Sequence, residues 1–159
     1  DSLQVLKLLS YSDESFLDIG SGGGLPALPL AIALKGQNRQ FTLIEPNSRK
    51  VSFLRTVARE LGLLVTVEGR RSDQVDSRET PAPDVITCRA LAALPQLCSW
   101  MAPFAAPQTR AILHKGREHV EELVETVTGW DFNVVITPSD TDSTGVLLTL
   151  SNLRVKSVS

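Results

Sequence analysis

Cysteine and histidine are scarce in this chain, whose 159 residues include two of each. Cys88 and Cys98 do not form a Cys-x-x-Cys pair, so we expect two buried thiols in a reducing compartment and not a disulfide framework. His114 and His119 have no carboxylate motif beside them, and we expect no zinc site or other metal site. These shortages exclude disulfide scaffolds and zinc-stabilised modules as explanations of the fold.

Long apolar runs and a strong net charge are also missing. No stretch approaches the ~20 consecutive apolar residues that a membrane-spanning helix needs, and the first residues do not have the pattern of a secretory signal. We therefore expect no membrane contact and a cytoplasmic location. The net charge of −2 does not suggest a nucleic-acid binder.

The basic residues are nevertheless unevenly distributed. Eight of the sixteen fall within about a quarter of the chain. This clustering is only a weak indication of RNA binding, because a solvated helix face would also explain it. The eight residues are Arg49, Lys50, Arg55, Arg59, Arg70, Arg71, Arg78 and Arg89.

The length and the alternation of patterns predict the fold class. Hydrophobic residues make up 42% of the chain, which is most simply one domain over residues 1–159. Short apolar runs alternate with segments of helical periodicity, which predicts an α/β fold with a doubly wound, mostly parallel sheet. The last two apolar runs have no helix between them and predict a hairpin, so the last strand is expected to be antiparallel. A Rossmann-like sheet closed in this way is the architecture of class I methyltransferases. Strands are expected at 16–19, 41–44, 64–67, 85–88, 110–114, 133–137 and 146–150, and helices at about 1–9, 26–34, 48–61, 95–104 and 120–127.

The most informative segment, residues 15–26, leads from an apolar strand through a glycine-dense turn into an apolar helix. Gly20, Gly22 and Gly24 remove the Cβ atoms that would keep a nucleotide-like ligand away from the backbone. Leu25 stands where the dinucleotide fingerprint G-x-G-x-x-G has its third glycine, so the turn need not hold a pyrophosphate. S-Adenosylmethionine is therefore the favoured ligand, although a plain strand-to-helix turn has a similar composition.

Two polar features follow the next predicted strands, at the edge where an open α/β sheet binds its ligand. Glu45 ends the second strand roughly twenty residues beyond the glycines and is placed to accept hydrogen bonds from ribose hydroxyls. Its alternative role is that of a surface carboxylate that caps a helix. The turn over residues 69–73 follows the third strand and either frames an adenine, with Asp73 taking part, or is an ordinary polar loop.

Two cations follow the fourth and fifth predicted strands. Arg89 comes directly after a buried strand, where an arginine is costly unless it faces a cleft or pairs with a carboxylate. Lys115 ends the fifth strand at the same rim, where it either meets a phosphate or an electron-rich base or is simply solvated. We take both as candidate catalytic residues.

Seven segments, in this order and spacing, carry a resemblance to one family. They are residues 17–26, 28–32, 49–55, 57–61, 69–70, 88–90 and 115–116. They resemble the bacterial small-subunit ribosomal RNA guanine-N7 methyltransferases, the RsmG or GidB family. The similarity begins at residues 1–3, which look like the end of the family's H-x-x-D-S-L segment, and covers nearly the whole chain. The family's N-terminal helices are therefore expected to be missing from this chain.

The resemblance implies S-adenosylmethionine as the cofactor and a role for each matching residue. Gly20 and Leu25 match positions that contact its methionine part, and Glu45 matches the position that binds its ribose. Arg71 and Ser72 match the two positions that hold the adenine, where the family commonly has Ala-Glu. The cofactor-binding residues expected in this way are Gly20, Gly22, Gly24, Leu25, Glu45, Arg71, Ser72 and Arg89.

The resemblance also implies the reaction and the partner. The chain is expected to methylate N7 of a guanine in 16S ribosomal RNA, as a monomer that acts on the RNA, the small ribosomal subunit or an assembly intermediate. Guanine N7 carries an in-plane lone pair and needs no deprotonation, so alignment and electrostatics suffice. The sequence agrees, since it has neither the N/D-P-P-Y/F motif of amino-group methylases nor the Pro-Cys nucleophile of cytosine-C5 enzymes.

Two other functions stay open on the sequence alone. A nicotinamide-dependent oxidoreductase would use a similar sheet, although Leu25 and the closing hairpin argue against it. A module that binds S-adenosylmethionine or RNA without turnover would share the same motifs.

Overall fold

The computed structural model describes residues 2–88 and 92–157. Their strands form a seven-stranded sheet with the order β3-β2-β1-β4-β5-β7-β6. β1 to β5 are parallel to one another, whereas β7 is antiparallel to both β5 and β6. The predicted mostly parallel sheet with an antiparallel last strand is confirmed. The strands are β1 (Ser15–Ile19), β2 (Gln40–Ile44), β3 (Val65–Glu68), β4 (Val85–Cys88), β5 (Arg110–Lys115), β6 (Trp130–Pro138) and β7 (Val146–Val155).

In the described part of the chain, four α-helices connect these strands: α1 (Ala27–Ala33), α2 (Ser48–Glu60), α3 (Leu94–Met101) and α4 (His119–Thr126). Asn47 is the N-cap of α2, where its side chain accepts hydrogen bonds from the backbone N–H groups of Arg49 and Lys50. Gly62 follows the end of α2 with a φ of +61°, a conformation that glycine adopts at little cost. The predicted start and stop of this helix are confirmed.

Side chains of the central strands alternate between two cores, one on each face of the sheet. Phe16 of β1 stacks on Phe41 of β2, with ring centroids 4.5 Å apart, in the core that contains α1 and α2. Leu17 and Ile19 of the same strand lie in the opposite core, which contains α3. Helices on both faces are the doubly wound arrangement that the alternating pattern predicts.

Three helical predictions differ from the structure. The N-terminal segment forms a 3₁₀ helix, Ser2–Leu8. The helix expected at 95–104 divides into α3 and a 3₁₀ turn, Ala102–Phe104, because Pro103 lacks the N–H group that would continue an α-helix. In α4 only Leu123 of the predicted apolar face packs against the core, and the three valines expected beside it are exposed: Val120, Val124 and Val127.

The strand order places a crevice at the carboxyl edge of the sheet. β2 and β3 extend from one side of β1, and β4 and β5 extend from the other. The loops that leave β1 and β4 therefore diverge, which is where open α/β sheets bind ligands. Within residues 2–88 and 92–157, no helix is long and apolar enough to cross a membrane.

Candidate active site

The glycine loop after β1 adopts a conformation that requires glycine. Gly20, Gly22 and Gly24 have φ values of +71°, +54° and +92°, which L-residues with a Cβ atom rarely adopt. A Cβ atom at Gly24 would collide with the side chain of Leu28 in α1, whereas one at Gly20 would meet no described atom within 4 Å. Gly24 thus allows the loop to pack against α1, and Gly20 leaves open space beside the loop.

Glu45 connects this loop to the start of α2. The residue as a whole is only 5% exposed. One carboxylate oxygen accepts a hydrogen bond from the Gly22 N–H at 2.7 Å, and the other accepts one from the Asn47 N–H at 2.8 Å. The helix-side contact is the alternative role that the sequence left open. Because a carboxylate offers about four acceptor positions, both oxygens can still accept from a ribose, and that role stays a prediction.

A cleft of about 210 Å³ opens at the ends of β1, β2 and β3. Its walls are apolar, with Ile19 and Ile44 at the strand ends and Trp100 from α3. Apolar walls of this kind suit a flat purine. The sequence analysis did not include Trp100 in the site. Its position beside the buried residues of α3 could have indicated that it faces the sheet edge.

The polar rim of this cleft comes from the turn after β3. Arg71, Ser72 and Asp73, which belong to the 69–73 segment, all line it, and their contact with an adenine stays a prediction. The Arg71 guanidinium pairs with the Asp73 carboxylate at 2.6 Å, and both side chains are exposed. Gly20 lines the same cleft, whereas Leu25 lies half-exposed outside its lining. The structure therefore brings together part of the predicted cofactor set.

Asp18, the last-but-one residue of β1, is a buried carboxyl group behind the glycine loop. The Thr87 hydroxyl of β4 donates a hydrogen bond to its Oδ1 at 2.5 Å, and its Oδ2 has no hydrogen-bond partner among the described residues. Burial, together with the nearby charge of Glu45, raises the pKa of Asp18 from 3.8 to about 7, although the hydroxyl groups of Ser21 and Thr87 oppose the shift. Burial also raises the pKa of the Cys88 thiol to about 12.

Asp18 is expected to make stability depend on pH. The Asp18 carboxyl group keeps its proton to a higher pH in the folded protein than in the unfolded chain. The stabilisation that this protonation gives is therefore complete below about pH 4 and is lost as the pH rises through about 7. Asp18→Asn keeps the shape and removes the titration. Urea unfolding at pH 5, 6, 7 and 8 should show the free energy of unfolding falling more steeply in the wild type, by up to about 1.4 kcal/mol per pH unit. Parallel curves for the two proteins would contradict this, and Glu60→Gln on the exposed face of α2 is the control.

A second cleft, of about 330 Å³, lies at the ends of β4 and β5. Lys115 lines it but is not solvated: its Nζ lies 2.7 Å from Oε2 of Glu122 in α4 and donates a hydrogen bond to the Ala92 carbonyl at 3.1 Å. The sequence did not indicate Glu122, because the pairing depends on how α4 packs. Arg89, the other candidate catalytic residue, lies outside the described residues.

Within the described ranges, no group of three or more His, Cys, Asp or Glu side chains is placed to hold a metal ion. Cys88 and Cys98 are both buried, as predicted, and are not joined in a disulfide. Burial raises the pKa of the Cys98 thiol to about 12, so neither thiol is activated as a nucleophile.

Comparison with known proteins decides the family. The family model described as GidB, rRNA small subunit methyltransferase G, matches residues 1–141. The chain belongs to the GidB family. It is 44% identical over 154 residues to ribosomal RNA small subunit methyltransferase G of Acidiphilium cryptum, covering 97% of this chain and 69% of that protein. It is 39% identical over 155 residues to the protein of the same name from Cereibacter sphaeroides, covering 96% of this chain and 74% of that protein.

Solved structures agree on the fold of this GidB-family chain. A SAM-dependent methyltransferase from Aquifex aeolicus superposes with a TM-score of 0.70 at 17% identity, covering 94% of this chain and 89% of that one. The resemblance inferred from the motifs and the class I methyltransferase architecture are both confirmed. The family match gives no support to the oxidoreductase or to the non-catalytic module.

Proposed function

We propose that this chain transfers a methyl group from S-adenosylmethionine to N7 of a guanine in 16S ribosomal RNA. The observation that carries the proposal is the GidB-family match over residues 1–141, on a fold that places a purine-sized cleft beside a glycine loop. The small ribosomal subunit is then the partner, met in the cytoplasm by a monomer of this chain.

The residues of the first cleft fit the cofactor. The apolar walls at Ile19, Ile44 and Trp100 would hold its adenine, with Arg71 and Ser72 at the rim. Glu45 would accept from its ribose, since it already orders the loop that borders the cleft. The space beside Gly20, which a Cβ atom would occupy, would receive its methionine part. The other proposed contacts are those of Gly22, Gly24, Leu25 and Arg89.

The chemistry makes few demands on acid–base residues. When bound, S-adenosylmethionine would supply an electrophilic methyl group, and sulfur would keep the electron pair of the broken bond. The guanine N7 lone pair would form the new C–N bond, and the positive charge would pass to the guanine ring. The protein therefore contributes position and electrostatics, with the base taken out of its stack to reach the site.

The surface near the first cleft supports an RNA partner. Arg49 and Lys50 occupy the first turn of α2, which contains no acidic residue, and both are exposed. Positive charge at a helix N-terminus opposes the helix dipole and lowers stability. Two cations at this unfavourable place, at the carboxyl edge of the sheet, are suited to the phosphates of an RNA bound across the clefts.

Mass spectrometry tests the proposal directly. The chain is incubated with S-adenosylmethionine and small-subunit RNA, either naked or in subunits, from a strain that lacks the modification. We expect N7-methylguanine at one position and calorimetric binding of S-adenosylmethionine but not of NAD. Binding of NAD alone would overturn the proposal, and cofactor binding without N7-methylguanine in any form of the RNA would favour the non-catalytic module.

A further inference from the structure

The second cleft is distinct from the proposed cofactor cleft but lies at the same edge of the sheet. Its lining comes from the segments that follow β4 and β5 and from the start of α4, and it shares no residue with the lining of the first cleft. The first cleft is mostly apolar, whereas the second is surrounded by charged side chains that include Lys115, Arg117 and Glu122. This lining suits a polar ligand that binds beside the proposed cofactor.

The carboxylate of Glu122 is the fixed polar group in this cleft. Its Oε2 is buried against Lys115 at 2.7 Å, and the two side chains are 18% and 7% exposed, respectively. Lys115 is itself held by the Ala92 carbonyl at 3.1 Å. An ion pair this buried needs further hydrogen bonds to offset the loss of hydration. Glu122 uses one oxygen for the pair, and a carboxylate has room for more donors.

We propose that this cleft receives the target guanine and that Glu122 determines specificity by accepting hydrogen bonds from its N1–H and N2–H₂ groups. This inference rests on the proposed function. Guanine presents these two donors side by side on its Watson–Crick edge, whereas adenine presents an acceptor at N1 that a carboxylate repels. N7 lies across the purine from N2, so a base read by Glu122 on the α4 side turns N7 towards the first cleft.

The charge balance of the reaction agrees with this assignment. Methylation at N7 leaves a positive charge on the guanine ring, which a carboxylate at N1–H stabilises as it develops. An unpaired lysine at the same place would oppose that charge. Lys115, which the sequence suggested as a catalytic residue, is in this arrangement a positioning residue that holds Glu122 in one orientation.

A substrate base without the 2-amino group distinguishes recognition of guanine by Glu122 from a purely structural role of that residue. The target nucleotide, once mapped, is built into the RNA as guanosine or as inosine, and kcat/KM is measured for the wild type and for Glu122→Gln. Inosine keeps N1–H and loses only the N2 donor, so the wild type should prefer guanosine by about 10- to 100-fold, the scale of one hydrogen bond to a charged group. Glu122→Gln should lose most of this preference, because kcat/KM should fall more for guanosine, which loses both contacts to the carboxylate, than for inosine, which loses only the contact at N1–H. RNA affinity without the cofactor is measured by fluorescence anisotropy. The difference in affinity between the guanosine and inosine RNAs should likewise be smaller for Glu122→Gln than for the wild type.

Glu125→Gln is the matched control, because Glu125 is exposed on the same helix and does not line the cleft. It should keep the guanosine preference. Equal losses on guanosine and inosine in Glu122→Gln, or a wild type that does not distinguish them, would overturn the inference while leaving the proposed function intact. A wild type that methylates neither RNA at N7 would instead remove the proposed function, and the inference with it. Melting temperature and calorimetric binding of S-adenosylmethionine verify that the variants are folded.

Discussion

Replacing Glu45 by alanine is expected to weaken S-adenosylmethionine binding by about 5- to 150-fold, which is the effect of losing about 1–3 kcal/mol of charge-assisted hydrogen bonding. The substitution acts in two ways. It removes the proposed ribose acceptor, and it leaves the N–H groups of Gly22 and Asn47 without the oxygens that they now contact at 2.7 and 2.8 Å. The glycine loop should therefore also become more mobile, with a lower melting temperature.

Calorimetry with two ligands separates these contributions. S-Adenosylhomocysteine and its 2′-deoxyribose analogue are titrated into the wild type, Glu45→Ala and Glu45→Gln. If Glu45 binds the ribose, the wild type should prefer the ribose ligand and Glu45→Ala should lose that preference. If it serves only the loop, both ligands should weaken equally. Unchanged affinity for both ligands would remove Glu45 from the site. Glu60→Ala, an exposed carboxylate on α2, should behave as the wild type.

Replacing Asp13 by alanine is expected to lower stability by about 3 kcal/mol, the lower part of the range for breaking a buried ion pair, because Arg110 is partly exposed. Asp13 and Arg110 form a two-pronged contact at 3.0 and 2.7 Å, with side chains 4% and 27% exposed. Arg110 also donates to the Leu8 carbonyl, and the Ser10 N–H donates to Asp13. The pair thus ties the N-terminal 3₁₀ helix to β5. For a chain of this length the melting temperature should fall by roughly 6–12 °C.

This loss should be confined to stability. Asp13 precedes β1 and Arg110 begins β5, at the edge of the sheet opposite the clefts. Cofactor affinity below the melting transition should therefore be unchanged, and a tenfold weaker affinity would contradict this account. The matched control is Asp140→Ala, which breaks the exposed Lys7–Asp140 pair and should cost at most about 1 kcal/mol.

The pair also has a pH signature. Burial alone would raise the pKa of Asp13, but hydrogen bonds from Arg110 and Ser10 and the charge of Arg110 lower it overall. A lowered pKa means that the stabilisation is complete above the unfolded-state value and is lost as the pH falls through the folded-state value. Acid unfolding should consequently be the condition under which the wild type and Asp13→Ala converge.

Local patterns predicted most of the fold. β4 coincides with the predicted 85–88 run because all four of its residues are buried, and a continuous apolar run between turns is typical of a central parallel strand. The sequence could not predict the exposure of Val120 and Val124, because the apolar periodicity of α4 is real and only its packing determines which part of that face is covered.

The site was predicted unevenly for a related reason. Glu45 and residues 71–73 follow strand ends, so the sheet alone brings them to one edge. The contacts of Asp18 with Thr87 and of Lys115 with Glu122 join elements that are distant or separately packed. Such pairs depend on strand order and helix orientation, which periodicity does not specify.

The position of β7 has a consequence for synthesis of the chain. Because β7 lies between β5 and β6, β6 has its hydrogen-bond partner in the sheet only after residues 146–155 have left the ribosome. Until then β5 is an open edge strand, and unpaired strand edges invite association with other chains. β1 to β4, which carry the proposed cofactor cleft, pair only with one another and with β5, and all five strands are made before β6 and β7. A nascent chain can therefore assemble its cofactor half first, and a message truncated before β7 would yield an aggregation-prone product.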